Sequence, residues 1–312
     1  MKTIFGPVHS RRFGVSLGID LSPSHKQCNF DCLYCELAPA ATVEVQRETP
    51  TVASIISELS TALNEHQNID EITLTANGEP TLYPYLKELI QEIDKIKKEK
   101  ETLILTNSAA LVDEKVFTTL LSLDQVKLSL DAVSSDIFRK IDRPHETIDI
   151  TLLVDAVKRF SEHFKGKLFI EILFVRGLND SKEEVAKLNE VLSHVNAVRI
   201  DIGTIDRPPA YPVEGISYGE LVAIAQQFDA SLPINIASRV HAEFSQSYYS
   251  KKDIINTLDK RPLTPEDIEI LFDKVSRENL NALLETKEVQ IIQRAKLDFY
   301  IPTTNLQRKR TK

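Results

Sequence analysis

Cys28-Asn29-Phe30-Asp31-Cys32-Leu33-Tyr34-Cys35 contains every cysteine of this 312-residue chain. Three thiols spaced C-x3-C-x2-C, an odd number, point to metal binding or redox chemistry rather than a disulfide framework. They are one short of a closed four-cysteine zinc site, which would need His25 or His9 to complete it. A cubane iron–sulfur cluster has four irons, so three thiolates leave one iron open to a ligand. The remaining reading is three ordinary buried thiols without a role.

Just before the cysteines, residues 15–20 alternate Val15, Leu17 and Ile19 with Ser16, Gly18 and Asp20. Five more strands are expected at 71–75, 102–106, 126–130, 168–174 and 198–202. Amphipathic helical segments such as 52–66 and 85–98 lie between them, the pattern of successive βα units. Strands covered by helices on both faces read as continuous apolar runs. Here Glu71, Thr73 and Thr75, then Lys127, Ser129 and Asp131, then Glu171, then Arg199 and Asp201 interrupt the apolar positions. Strand side chains alternate faces with period two, so one face packs on helices and the other faces a polar lumen. The expected fold is α/β, a partial (β/α)6 barrel. Its cysteine loop follows the first strand, at the carboxyl end where βα loops gather functional groups.

The cysteine spacing, with Tyr34 as the aromatic residue before the last cysteine, resembles the signature of the radical S-adenosylmethionine (radical SAM) superfamily. Within it, Ser10-Arg11-Arg12-Phe13-Gly14-Val15-Ser16-Leu17-Gly18-Ile19-Asp20 is similar to iron–sulfur oxidoreductases related to wyosine-forming tRNA enzymes. The resemblance covers residues 6–209. It implies a [4Fe–4S] cluster on Cys28, Cys32 and Cys35, with S-adenosylmethionine at the open iron, cleaved to methionine and a 5′-deoxyadenosyl radical. It also implies an electron donor such as flavodoxin or ferredoxin.

Thr75-Ala76-Asn77-Gly78-Glu79-Pro80 resembles the family's Gly-Gly-Glu-Pro motif, which receives the amino group of the methionine; Asn77 replaces the first glycine. On this reading Gly78 lets the backbone approach a ligand, Pro80 fixes the turn and Glu79 accepts hydrogen bonds from the ammonium. Ser129 and Asp131 are similar in position to family residues that contact ribose or carboxylate, and Asn107 follows the third strand in a comparable place. Glu171 and Arg199, facing inward, need a ligand or a partner. Arg207-Pro208-Pro209 either positions a phosphate or carboxylate or ends the barrel.

From residue 261 the βα rhythm stops. Helices at 265–275 and 277–285 and strands at 289–292 and 296–301 resemble a winged helix. The expected division is a barrel over 1–236, a helical linker over 237–260, and a winged-helix-like module over 261–312 that ends in the basic tail Arg308-Lys309-Arg310-Thr311-Lys312. A net charge of −8 argues against a broadly basic nucleic-acid surface. No apolar run approaches the ~20 residues that cross a bilayer, and no signal peptide is evident, so a cytoplasmic protein without membrane partners is expected. Three functions compete: a radical enzyme acting on a macromolecule, with tRNA first; radical modification of a peptide or small metabolite; and a non-catalytic iron–sulfur or zinc redox sensor. The polar lumen and Gly78-Glu79 favour an enzyme.

Overall fold

The computed structural model describes residues 3–10, 14–236, 246, 248–260, 262–294 and 297–303. Arg11, Arg12, Phe13 and the basic tail lie outside the described residues, as does the His9 side chain.

The elements run β1 (Ile4–Ser10), β2 (Gly14–Asp20), α1 (Val52–Glu65), β3 (Glu71–Thr75), α2 (Leu86–Ile96), β4 (Glu101–Thr106), α3 (Glu114–Leu120), β5 (Gln125–Ser129), α4 (Ser135–Ile141), α5 (Ile150–His163), β6 (Lys167–Phe174), α6 (Lys182–Leu192), β7 (Arg199–Thr204), α7 (Tyr218–Ala225) and β8 (Ile234–Ile236). The sheet order is sequential from β1 to β8, with β1 antiparallel to β2 and every later pair parallel. All six expected strands are present. The sheet exceeds the six-strand expectation by β1 and β8, which the alternation did not show: β1 is broken by Gly6-Pro7 and a bulge between Phe5 and Val8, and β8 has only three residues.

Leu17 and Ile19, Ile72 and Leu74, Val126 and Leu128, Ile170 and Ile172, and Ile200 and Ile202 are buried with Ile55, Leu59, Leu89 and Ile93 of the helices in one continuous core. The opposite face is polar, as in a partial barrel. There Lys127 pairs with Glu171 at 2.6 Å, and Arg199 pairs with Asp201 at 3.0 Å while lying over the Phe169 ring. The inward charges of β5 to β7 thus answer one another, Lys127 and Glu171 across neighbouring strands and Arg199 and Asp201 along β7. Asn235 of β8 donates to Asp201 at 2.6 Å, continuing the network. Phe5 of β1 lies against Gly18, where a Cβ would meet its ring at 2.1 Å.

Beyond β8 come α8 (Lys251–Lys260), α9 (Pro265–Leu271), α10 (Lys274–Glu285) and an antiparallel hairpin of β9 (Val289–Arg294) and β10 (Leu297–Pro302). Ile254 and Leu258 of α8 share a second apolar cluster with Leu263, Phe272, Leu280 and Leu283. The helix expected in a linker therefore packs with the terminal elements, because its two buried positions four residues apart present one apolar face.

Candidate active site

Two βα loops meet back to back at the carboxyl ends of β2 and β3. Gln27 N donates to Asn77 O at 2.9 Å and Glu79 N to Gln27 O at 3.0 Å. Gly78 adopts φ +133°, and a Cβ there would lie 2.0 Å from Gln27 O. The close approach expected between Gly78 and a ligand is therefore made by the cysteine loop itself. Asp20, at the end of β2, holds the turn by accepting from Asn77 N at 3.0 Å and Asn77 Nδ2 at 2.9 Å. Such fixing suits Asn at the position where the family has glycine.

The Glu79 carboxylate points inward, at 2% exposure. It accepts from Thr81 N at 3.0 Å, Thr81 Oγ1 at 2.6 Å, Thr106 Oγ1 at 2.6 Å and Asn107 N at 2.8 Å. Its acidity is nonetheless weakened, because burial outweighs these four donors. Three of these donors meet Oε1 and one meets Oε2, so the carboxylate braces the β3 loop to the β4 loop. Pro80 opens the short turn that Glu79 caps. Asn107 completes the brace: its Nδ2 donates to Asn29 Oδ1 at 2.6 Å, inside the cysteine motif.

Asp131 is also engaged. Its Oδ1 accepts from Leu173 N at 2.7 Å and its Oδ2 from the Tyr34 hydroxyl. Burial pushes Asp131 up to about 6 and Asp142, beside it, well above the usual carboxylate range. Tyr34, Asn107, Ser129, Asp131 and Asp142 line an enclosed space of about 40 Å³. That volume suits a water or two and falls far below the ~300 Å³ of a ligand pocket. Tyr34, Asn107, Ser129 and Asp131 are thus brought together, and Glu171, the register partner of Ser129 on β6, lies beside them and pairs with Lys127. Asp20, Gln27 and Asp142 escaped the sequence reading. Asp20 carried the one available signal, a carboxylate ending a strand on the polar face.

Burial raises all three thiols, Cys28 to about 12, Cys32 well beyond the normal range and Cys35 less steeply. A metal centre that binds them as thiolates overcomes that cost. Lys26 supplies a cation: its Nζ lies 2.8 Å from Asp31, and its charge is felt by both Cys28 and Cys35. Among the described residues no three His, Cys, Asp or Glu side chains gather about one ion-sized point. A cluster of several irons asks for a looser set, each thiolate on its own iron.

The Radical SAM superfamily model matches residues 23–188, more than half of the chain and the whole cysteine motif. The chain belongs to the radical SAM superfamily. It is a radical SAM enzyme, and its cofactors are those of that superfamily, a [4Fe–4S] cluster and S-adenosylmethionine, which the cluster cleaves. A UPF0026 protein of Helicobacter pylori strain J99 is 38% identical over 299 residues, 95% of this chain and 96% of that protein, so the chain is also a UPF0026 member. Among solved structures, a radical SAM methyltransferase from Sphaerobacter thermophilus has a TM-score of 0.55 at 16% identity, over 74% of this chain and 68% of that one. TYW1 with a lysine–pyruvate adduct bound has a TM-score of 0.51 at 17% identity, over 70% and 74%. Both share the radical SAM fold with this chain. No helix among the described residues is long and apolar enough to cross a membrane.

Proposed function

We propose that Cys28, Cys32 and Cys35 hold the cluster and that S-adenosylmethionine lies at the barrel mouth, against the backbone of Asn77 and Gly78 and the ends of β4 and β5. The observation that carries this is the pairing of Gln27 with Gly78, which welds the cysteine loop to the turn resembling the family's amino-group site. When bound, the reduced cluster supplies an electron that splits the cofactor into methionine and a 5′-deoxyadenosyl radical, which takes a hydrogen atom from substrate. The chain's own work is to orient and to exclude water. Glu79 and Asp20 hold the turn, Asn107 ties it to Asn29, and Tyr34 with Asp131 anchors the third cysteine's neighbour.

The substrate this reading places first is an RNA, because residues 10–20 resemble the wyosine-related enzymes. Arg139 and Arg143 line a groove of about 420 Å³ beside Asp31 of the cysteine loop; Arg143 is paired with Asp31 at 3.5 Å, and Arg139 offers a cation to a phosphate. The barrel over 1–236 would perform the chemistry, and the terminal elements, with α8, would serve recognition. The test is anaerobic reconstitution followed by measurement of 5′-deoxyadenosine with and without bulk tRNA. Four irons per chain, cofactor cleavage and stimulation by tRNA are expected, each lost on replacing any of the three cysteines by Ala. Cleavage that tRNA leaves unchanged would turn the reading to a peptide or small metabolite.

A further inference from the structure

The front of the cysteine loop is held by the β3 turn, but its rear is held from the far side of the sheet. Ala210 N donates to Cys35 O at 2.8 Å. Arg207 pairs with Glu36, the residue after the last cysteine, across 171 positions of sequence. The Tyr211 hydroxyl donates to Asp31, between the first two cysteines, across 180 positions. Tyr211 is gripped on a second side, since the Arg143 guanidinium lies 4.7 Å from its ring centroid. Asp31 in turn holds Lys26 at 2.8 Å. Residues 207–211 follow β7, five strands away from β2, a separation of ~24 Å in a flat sheet. Their meeting with the cysteine loop spans the mouth of the curled one.

We infer that residues 207–211 form a strap across the barrel mouth that fixes the rear of the cysteine loop, with Arg207 and Tyr211 positioning Cys35 and the Asp31–Lys26 pair for cluster binding. The inference rests on the reading that the three cysteines hold the cluster. The strap's composition fits the task. Pro208 and Pro209 fix two successive φ angles, so little chain entropy opposes the closed form. The connection from β7 to α7, residues 205–217, is longer than the 2–6 residues usual for a βα loop, as functional loops often are. The strap touches the loop through backbone, charge and hydroxyl at three separate residues, so it sets an orientation rather than merely covering a surface. Lys26 is the electrostatic consequence. Its ammonium, oriented by Asp31, sits near the thiols of Cys28 and Cys35, and charge near a cluster helps to set its potential.

The test compares full-length wild type with Arg207→Met, Arg207→Lys and Tyr211→Phe; the last removes only a hydroxyl and keeps the ring beneath Arg143. Holoenzyme is followed by electron paramagnetic resonance and by the rate at which a chelator removes iron. Chelated protein is alkylated, and each cysteine is quantified by mass spectrometry. Arg207→Met and Tyr211→Phe are expected to speed alkylation of Cys35 about tenfold, the factor set by one lost charge-assisted hydrogen bond. Cys28, held by the β3 turn, should be unchanged. Iron release should quicken and the resonance of the reduced cluster should shift in the same two variants, with Arg207→Lys restoring both toward wild type. Equal rates at Cys28 and Cys35 in all variants, or equal acceleration of both, would overturn the strap. Wild type that binds no iron would instead overturn the cluster assignment beneath it.

Discussion

Gln27 and Gly78 are packed so closely that the carbonyl oxygen of one occupies the place where a side chain of the other would begin, 2.0 Å from an ideal Cβ. Gly78→Ala is therefore expected to push the two loops apart as well as to strain a φ of +133°. Iron content after anaerobic reconstitution should fall well below wild type, while far-ultraviolet circular dichroism stays unchanged. Full iron loading in this variant would show that the loops tolerate separation.

Glu79 separates brace from ligand. Glu79→Ala would leave Thr81 N, Thr106 Oγ1 and Asn107 N without their acceptor in a buried place, costing ~3 kcal/mol or more of stability. Cofactor affinity should decline only along with stability, as read by urea unfolding and calorimetric titration of the same samples. A Glu79→Gln protein of wild-type stability whose affinity has dropped more than tenfold would mean that the carboxylate touches the cofactor.

Asp131→Ala strands the Leu173 amide and the Tyr34 hydroxyl together, whereas Asp131→Asn keeps one acceptor. A loss of ~2–4 kcal/mol is expected for Ala and about half of that for Asn. The ordering can be read from urea midpoints. Equal losses would assign the cost to charge rather than to unmet donors.

Glu71, at 2% exposure, has an Oε2 with no hydrogen-bond partner among the described residues. Burial raises its pKa from 4.5 to about 7, helped by the nearby Glu101 charge. The folded state then keeps a proton that the unfolded chain has already released. Stability is thus full below about 4.5 and falls as pH rises toward about 7. Relative to Glu71→Gln, wild type should lose on the order of 2–3 kcal/mol between these limits. Parallel unfolding curves of the two proteins across that range would remove Glu71 from the pH response.

Lys127 and Glu171 form an ion pair at 2.6 Å, with the Lys127 side chain only 10% exposed. Lys127→Met alone should cost on the order of 1–3 kcal/mol by removing this cation from beside the Glu171 carboxylate. Adding Glu171→Gln should recover much of it, a coupling that a double-mutant cycle measures. Additive losses would mean that Glu171 serves something other than Lys127.

The sequence made the superfamily and the sheet legible because both signals are local. Three cysteines within eight residues and a period of two in each strand can be read without knowing what folds against them. Glu79 and Asp131 were recognisable as important but not in direction, since a carboxylate aimed at a cofactor and one aimed at backbone amides and hydroxyls look alike in a string of letters. Thr106 and Leu173, two of the groups they meet, lie 27 and 42 positions away. Strand β8 had too few residues to show a period, and Arg207 gave no hint of Glu36, 171 positions earlier.

That last distance has a meaning for how the protein is made. The cysteines leave the ribosome well before their rear support, since Tyr211 follows Asp31 by 180 positions. At ordinary elongation rates that is roughly 10–40 s. Throughout that interval the nascent loop lacks its rear fastening, and the three thiols stand open on one side. On the strap reading, the loop's final fastening is thus completed only after its two consecutive prolines have been made, and a chain stopped before them would keep its cysteines but not their rear support.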